Sequence, residues 1–297
     1  IDSADTLDVD DGVSLEPGPV SGQYWVNVHV ADPASRLTPD HPLAVQAAMR
    51  AQTSYLAGWY QRMIDSDEVR ETFSLRANAP ALTFSALVDE EGKIHDFKIT
   101  PGILRDVVYM NYEEVSQLFD EESTPTQAPS YELTVGTPPQ PSPPTRPLAS
   151  VRDLSRAQRN DLLTLHRLAK ALQNVRLSKG AVPTYLPQPQ ATVHLDAVEH
   201  SLLEANSPKA GDNPGLVLYR GDPYIRVAYQ SQQSPASTLV SSLMQLAGEI
   251  GARWCYERDI PVPYRVQLLA TQNQEALKNF TENVLYPKLR AGIKPTL

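Results

Sequence analysis

The sequence predicts an α+β fold, a mixed and largely antiparallel sheet flanked by helices. Three observations carry that expectation. Strand-like and helix-like segments follow one another without the regular strand–helix–strand rhythm of a doubly wound sheet. Residues 81–100, "ALTFSALVDEEGKIHDFKIT", read as two strands around the turn-forming DEEGK. Two long amphipathic stretches, 155–180 and 234–259, offer apolar faces on which a sheet can pack. With 297 residues, 41% hydrophobic and 21% charged, the chain has the composition of a globular protein with a sizeable core.

The chain opens on "IDSADTLDVDDGVSLE", which holds Asp2, Asp5, Asp8, Asp10, Asp11 and Glu16 and no Lys or Arg. Gln23–Val30, "QYWVNVHV", is aromatic and β-branched with partial alternation and reads as a strand. His41–Leu56 reads as a helix. The hairpin follows, and then Met110–Phe119, "MNYEEVSQLF", reads as a short amphipathic helix. Ser123–Pro147 carries eight prolines, six of them from Pro138 onward. Proline propagates neither helix nor central strand, so this stretch is expected to be a disordered or polyproline surface loop within one domain. Helix resumes from Ser155, with Leu162, Leu165, Leu168, Ala169 and Leu172 at helical spacing and Gly180 at its end. "ATVHL" (191–195) and "PYIRVAYQ" (223–230) read as strands. Ser234–Asp259 is a long helix with Ser234 as N-cap and Pro235 in its first position, and 273–289 is the last helix.

Composition narrows the function. No apolar stretch approaches the roughly 20 residues needed to cross a bilayer, so no membrane association is expected. A lone Cys255 excludes an intramolecular disulfide and a thiolate-rich zinc site, and in its helical setting reads as a buried core thiol. A net charge of −9 argues against a generally basic nucleic-acid-binding face, although metal ions can supply positive charge at a local site. The chain lacks an initiator Met and starts inside a motif, so it is expected to be a piece of a longer protein.

The crowded carboxylates are either a solvated loop or a cage for cations, because burying an unpaired carboxylate costs several kcal/mol or neutralises it. A helix–loop–helix calcium site counted from Asp8 places Gly12 at the fifth position and Pro19 at the twelfth, and fails. "DVDD" (Asp8–Asp11) also resembles the acid motif of class II terpene cyclases, but those enzymes are wholly helical and a strand follows here. The solvated loop stays open. Against it, the interleaved Ile1, Leu7, Val9, Val13 and Leu15 call for anchoring. Hard carboxylate oxygens suit Mg²⁺, with Mn²⁺ as the other candidate, in two-metal phosphoryl chemistry. In an extended chain Asp8 and Asp10 face one side and Asp11 the other, and a bend at Gly12 would let them converge.

"IDSADTLDVDDGVS" is similar to the signature of the ribonuclease II and ribonuclease R family, the RNB-type exoribonucleases: I-D, five residues, D-x-D-D, then a small residue. "VNVHVADPASRLTPDHPL", "TSYLAGW", "SLRAN", "LSKGAV" and "LVSSLMQLAGEIGARWCYERDIPVPYR" resemble further family segments in the family's order. The resemblance implies that 1–297 is part of one RNB-type catalytic domain, with the proline-rich insertion at about 123–147. It implies a Mg²⁺-dependent hydrolytic 3′→5′ exoribonuclease that degrades single-stranded RNA to nucleoside 5′-monophosphates. The family's metal acids map to Asp2, Asp8, Asp10 and Asp11. Asp2 and Asp11 hold metal directly, Asp8 holds or orients it, and Asp10 is the catalytic acid. Tyr55 corresponds to the aromatic that stacks near the 3′-terminal base, and Arg76 to an RNA contact. His29 is expected to be structural.

The chain also departs from the family pattern. Ser241 and Ser242 stand where bacterial relatives carry a glutamate pair, and Val193 and His194 stand near the place of a second base-clamping aromatic. The later S-P-L-R-R segment, with its catalytic Arg and following Glu, does not occur in these 297 residues. The piece alone is therefore expected to be inactive, its partners being the C-terminal half of the catalytic domain and flanking OB-fold RNA-binding domains. The α-helical wording and the insertion most resemble the fungal mitochondrial branch, which implies a mitochondrial location (cytoplasmic being the alternative) and an RNA helicase partner. The alternative function is a family member that binds RNA or a partner without hydrolysing RNA.

Overall fold

A computed structural model describes residues 1–4, 6, 8–56, 59–64, 67–120, 130–139, 146–181, 189–194, 199–202, 217–220, 223–230, 234–263 and 274–287. The first half holds β1 (Asp11–Pro17), β2 (Gln23–Ala31), α1 (Pro42–Arg50), β3 (Ser54–Leu56), β4 (Trp59–Gln61), α2 (Asp67–Phe73), β5 (Pro80–Asp89), β6 (Ile94–Ile103) and α3 (Tyr112–Asp120). The second holds β7 (Ser130–Val135), α4 (Arg156–Ser178), β8 (Gln190–His194), β9 (Glu199–Leu202), β10 (Val217–Arg220), β11 (Tyr224–Gln230), α5 (Pro235–Tyr256) and α6 (Gln274–Phe280). All strand pairings among the named strands are antiparallel. The fold is α+β with antiparallel sheets flanked by helices, as the sequence predicts.

The main sheet runs in the order β1-β2-β5-β6. Period-two alternation sends Val26 and Val28 of β2, with Ala86 and Val88 of β5, to one face, where they are fully buried. Helices α3, α4 and α5 cover that face in a single apolar cluster. Along α5 the residues Ala236, Leu239, Leu243, Leu246 and Ile250 recur at helical spacing and lose all exposure. Both long helices start where their caps require. Ser155 and Gln158 form a reciprocal capping box, and the Ser234 hydroxyl accepts from the Ser237 N–H with Pro235 in the first turn.

The opposite face of the sheet is polar and internally satisfied. Asn27 Nδ2 donates to Ser14 Oγ at 3.3 Å and to Glu16 Oε1 at 3.1 Å. His29 uses both ring nitrogens, one at 2.8 Å from Ser14 Oγ and the other at 2.9 Å from Thr83 Oγ1. Burial lowers its pKa, and the nearby Glu16 only partly offsets this. His29 is a neutral cross-strand tie. The β5–β6 turn depends on Gly92, whose φ is +82°; a Cβ there would sit 2.6 Å from the carbonyl carbon of Ala171 on α4.

Three expectations change. The helix expected over 41–56 stops at Arg50, because Ala51 turns left-handed at φ 62°. Ser54–Leu56 then pairs with Trp59–Gln61, where β-branched Thr53 and the aromatics Tyr55, Trp59 and Tyr60 favour a strand. Inside the proline-rich stretch, Ser130–Val135 is a strand in a second sheet of order β7-β11-β8. Its sequence "SYELTV" alternates between Pro129 and Pro138, and pairing with β11 outweighs the flanking prolines. The rest of the expected loop, 121–129 and 140–145, lies outside the described residues. Cys255 is half-buried on α5 rather than a core thiol. Among the described residues no helix is long and apolar enough to cross a membrane.

Candidate active site

The acidic opening is tied down at three points before it enters the sheet. Asp2 N–H donates to the Met110 carbonyl at 3.0 Å and bridges to Asn111. Val9 N–H donates to Ser74 Oγ at 3.1 Å, its carbonyl accepts from Leu75 N–H at 2.7 Å, and its side chain is buried with Leu75 and Ala81. The Asp10 carbonyl accepts from Ala31 N–H at 2.8 Å, and from Asp11 onward the chain is β1. The apolar residues are thus the anchors, and the acids lie between them. Asp8 and Asp10 are exposed, while Asp11 is half-buried.

The bend expected at Gly12 is absent. Gly12 pairs with His29 inside β1 and is not among the residues of positive φ. β1 starts at Asp11 and runs on through Gly12 without a turn. Among the described residues no three His, Cys, Asp or Glu side chains are gathered closely enough to hold a metal ion.

Electrostatically the acids form one group. The Asp10 side chain reaches solvent, yet the protein atoms crowded around its carboxyl desolvate it and, with the charges of Asp2 and Asp8, hold it above its ordinary pKa, its own backbone N–H opposing. Asp11 is raised by burial, then by the charges of Asp10 and Asp2. The Tyr112 hydroxyl is raised by burial and by Asp2, Asp11 and Asp10. Asp10 and Asp11 are raised in part by neighbouring negative charge, a repulsion that a divalent cation relieves, and carboxylate oxygens are hard donors, so the chemistry of this donor set suits Mg²⁺ or Mn²⁺.

Three residues at this site escape sequence reasoning. Tyr112 starts α3, which Asn111 caps by accepting from Glu114 N–H at 2.8 Å. Arg62 brings Nε to 4.0 Å from Asp8 Oδ2 while its Nη1 binds Asp67 at 2.9 Å. Arg146 donates to the carbonyls of Ser3 and Thr6. None of the three lies within the motif, and only the Asn-Tyr-Glu-Glu helix start at Tyr112 leaves a local signal.

The remaining expected residues fall in several places. Tyr55 pairs with Tyr60 in the β3–β4 hairpin, and its side chain lies outside the described residues. Arg76 is exposed in the turn after α2, next to the Leu75 that anchors Val9, and its carbonyl accepts from Ala79 N–H at 3.0 Å. Ser242 is buried: its hydroxyl donates to the Ala169 carbonyl at 3.0 Å and accepts from Arg176 Nη1 at 3.1 Å. That serine joins α5 to α4. Ser241 Oγ donates to the Thr238 carbonyl of its own helix at 3.2 Å. Val193 pairs with Ile225, and the His194 ring faces Tyr224 with centroids 5.9 Å apart. A cavity of about 300 Å³ lies against β1, with Asp11, His29, Tyr109 and Asp161 among its lining.

Comparison with known proteins adds to this geometry. The RNB domain family matches residues 1–295. The mitochondrial protein cyt-4 of Neurospora crassa is 43% identical over 302 residues, covering 100% of this chain and 26% of that protein. The mitochondrial exoribonuclease II of Schizosaccharomyces pombe is 25% identical over 269 residues, covering 90% of this chain and 26% of that protein. Among solved structures, a Dss1 exoribonuclease active-site mutant from Candida glabrata shares the fold with a TM-score of 0.68 at 19% identity, over 100% of this chain and 34% of that chain. Mycoplasma genitalium RNase R in complex with ribose-methylated single-stranded RNA gives a TM-score of 0.65 at 16% identity, over 100% and 37%. The chain spans about a quarter of the length of the two sequence relatives.

Proposed function

Because this chain belongs to the RNB domain family, of the ribonuclease II and R type, we propose that it is part of the catalytic domain of a hydrolytic 3′→5′ exoribonuclease. The substrate is single-stranded RNA and the products are nucleoside 5′-monophosphates. The observation that supports this reading is that hydrogen bonds from Asp2 to Met110, between Val9 and Ser74 and Leu75, and from Ala31 to Asp10 anchor the four-aspartate motif at the head of the central sheet. Asp2, Asp8, Asp10 and Asp11 would hold Mg²⁺ or Mn²⁺. That metal supplies charge neutralisation and an activated water when bound. The chain's own residues position the phosphate and exclude alternatives: Asp10 orients the attack, Tyr55 stacks a base and Arg76 faces the RNA backbone. A mitochondrial location agrees with the names of the Neurospora and Schizosaccharomyces relatives, and an RNA helicase is the expected partner. Residues 1–297 form one domain in this reading, and activity belongs to the longer protein.

The test uses the full-length protein with 5′-labelled single-stranded RNA. The expected result is stepwise shortening from the 3′ end, release of 5′-monophosphates, and loss of both in EDTA. Internal cleavage, or 3′-monophosphate products, would contradict the reading. RNA binding without turnover would assign the chain to a non-hydrolysing member of the family.

A further inference from the structure

We propose that Arg146, at the end of the proline-rich stretch, is a positioning residue for the carboxylate motif, clamping the Ser3–Thr6 turn and through Thr6 fixing the Asp2 carboxylate. The inference rests on the metal-site reading above. Arg146 Nη1 donates to the Thr6 carbonyl, and Nη2 donates to the Ser3 carbonyl at 3.3 Å. Thr6 N–H closes the turn onto Ser3 O at 3.1 Å. The Thr6 hydroxyl then donates to Asp2 Oδ1 at 3.0 Å. Every link from guanidinium to carboxylate is a hydrogen bond.

The same arginine is braced from below. Its guanidinium lies over the Tyr109 ring, 5.4 Å from the centroid. Tyr109 OH donates to the Leu75 carbonyl at 2.9 Å, and Leu75 N–H holds the Val9 carbonyl. The Tyr109 carbonyl accepts from Ala149 N–H at 2.8 Å, which returns the chain to the segment carrying Arg146. Pro147 disfavours helical backbone at Arg146 and so narrows the conformations that compete with this reach. A planar fork serves two carbonyls and stacks on a ring at once, which the single ammonium of Lys does not reproduce. The clamp also places positive charge beside the Asp2 end of a stretch that has no Lys or Arg of its own. It gives the tail of the proline-rich stretch a task in the site.

The experiment compares full-length wild type with Arg146→Gln, Arg146→Lys, Thr6→Val and the Arg146→Gln/Thr6→Val double variant. Three quantities are read: hydrogen exchange of peptides covering 1–11 in metal-free protein, Mn²⁺ affinity without RNA, and RNA affinity in EDTA. Arg146→Gln should speed exchange across 1–11 and weaken Mn²⁺ binding by about tenfold or more, the loss typical of a partner that orients a metal ligand. RNA affinity should hold within about twofold, and Lys should not rescue. Thr6→Val should reproduce the Mn²⁺ loss, and the double variant should add little to it because both act on one path. Unchanged exchange and Mn²⁺ affinity in Arg146→Gln would overturn the clamp. So would a fall in RNA affinity, or in melting temperature alone, with Mn²⁺ affinity intact. If Arg146→Gln fails to fold, Thr6→Val decides through its Mn²⁺ affinity. A wild type that binds no Mn²⁺ would instead contradict the metal-site reading, while the exchange comparison still judges the clamp.

Discussion

Strands β2 and β7 carry similar side chains and meet different surroundings. Val26 and Val28 of β2 have 0% exposure beneath α3, α4 and α5, whereas Tyr131 and Leu133 of β7 are 67% and 65% exposed. Register places Tyr131, Leu133 and Val135 beside Tyr229, Val227 and Ile225 of β11, so the second sheet has an apolar face as well. Alternation makes a strand in both cases. Only helices packed on the face make it a core, and the sheet so braced is the one whose first strand continues the acidic motif. A site that must hold several carboxylates against their repulsion gains from starting on the rigid sheet.

The largest test of that contrast is a pair of truncations. Leu243→Ala, at the fully buried centre of α5, should lower unfolding free energy by about 2–5 kcal/mol. Leu133→Ala on β7 should change it by no more than about 0.5 kcal/mol. Denaturant midpoints of both variants measure this, and equal losses would break the distinction between the two sheets.

A smaller effect comes from pH. His166 lies in the braced layer, stacked on Phe119 with ring centroids 4.0 Å apart, and burial, with Lys170 nearby, lowers its pKa to about 4. The unfolded chain takes up this proton near pH 6.5 while the folded one does not. The His166 contribution is therefore complete above pH 6.5 and is lost progressively as pH falls toward 4. Between pH 6.5 and 5 the loss should reach about 1–2 kcal/mol. His166→Phe should flatten that part of the stability profile, and a slope unchanged by the substitution would place its origin elsewhere.

Much of the braced half is legible in the sequence because its signals are local. The hairpin around DEEGK, the capped starts at Ser155 and Ser234, and the stripe from Leu162 to Leu172 are each contained in one window. β7 is hidden because its prolines are local while its pairing with β11 is not. At the site, the four aspartates are visible as a motif, but the groups that hold the motif come from elsewhere. Met110 and Asn111 fix Asp2, Ser74 and Leu75 fix Val9, Arg62 approaches Asp8, and Arg146 grips Ser3 and Thr6. Only folding brings these together. The bend expected at Gly12 failed for a related reason: glycine permits a turn, but here the β1–β2 ladder decides the backbone.

The most direct measurement of the central claim is Asp10→Asn in the full-length protein, read as single-turnover hydrolysis and as equilibrium binding of the same single-stranded RNA. The substitution removes a charge and little volume from an exposed position, so folding and RNA affinity should stay close to wild type. Hydrolysis should fall by at least roughly 10²–10³-fold, the loss expected when one electrostatic element of a preorganised site is removed. Turnover within a few-fold of wild type, with RNA affinity unchanged, would show that the acidic opening is not the site of RNA hydrolysis.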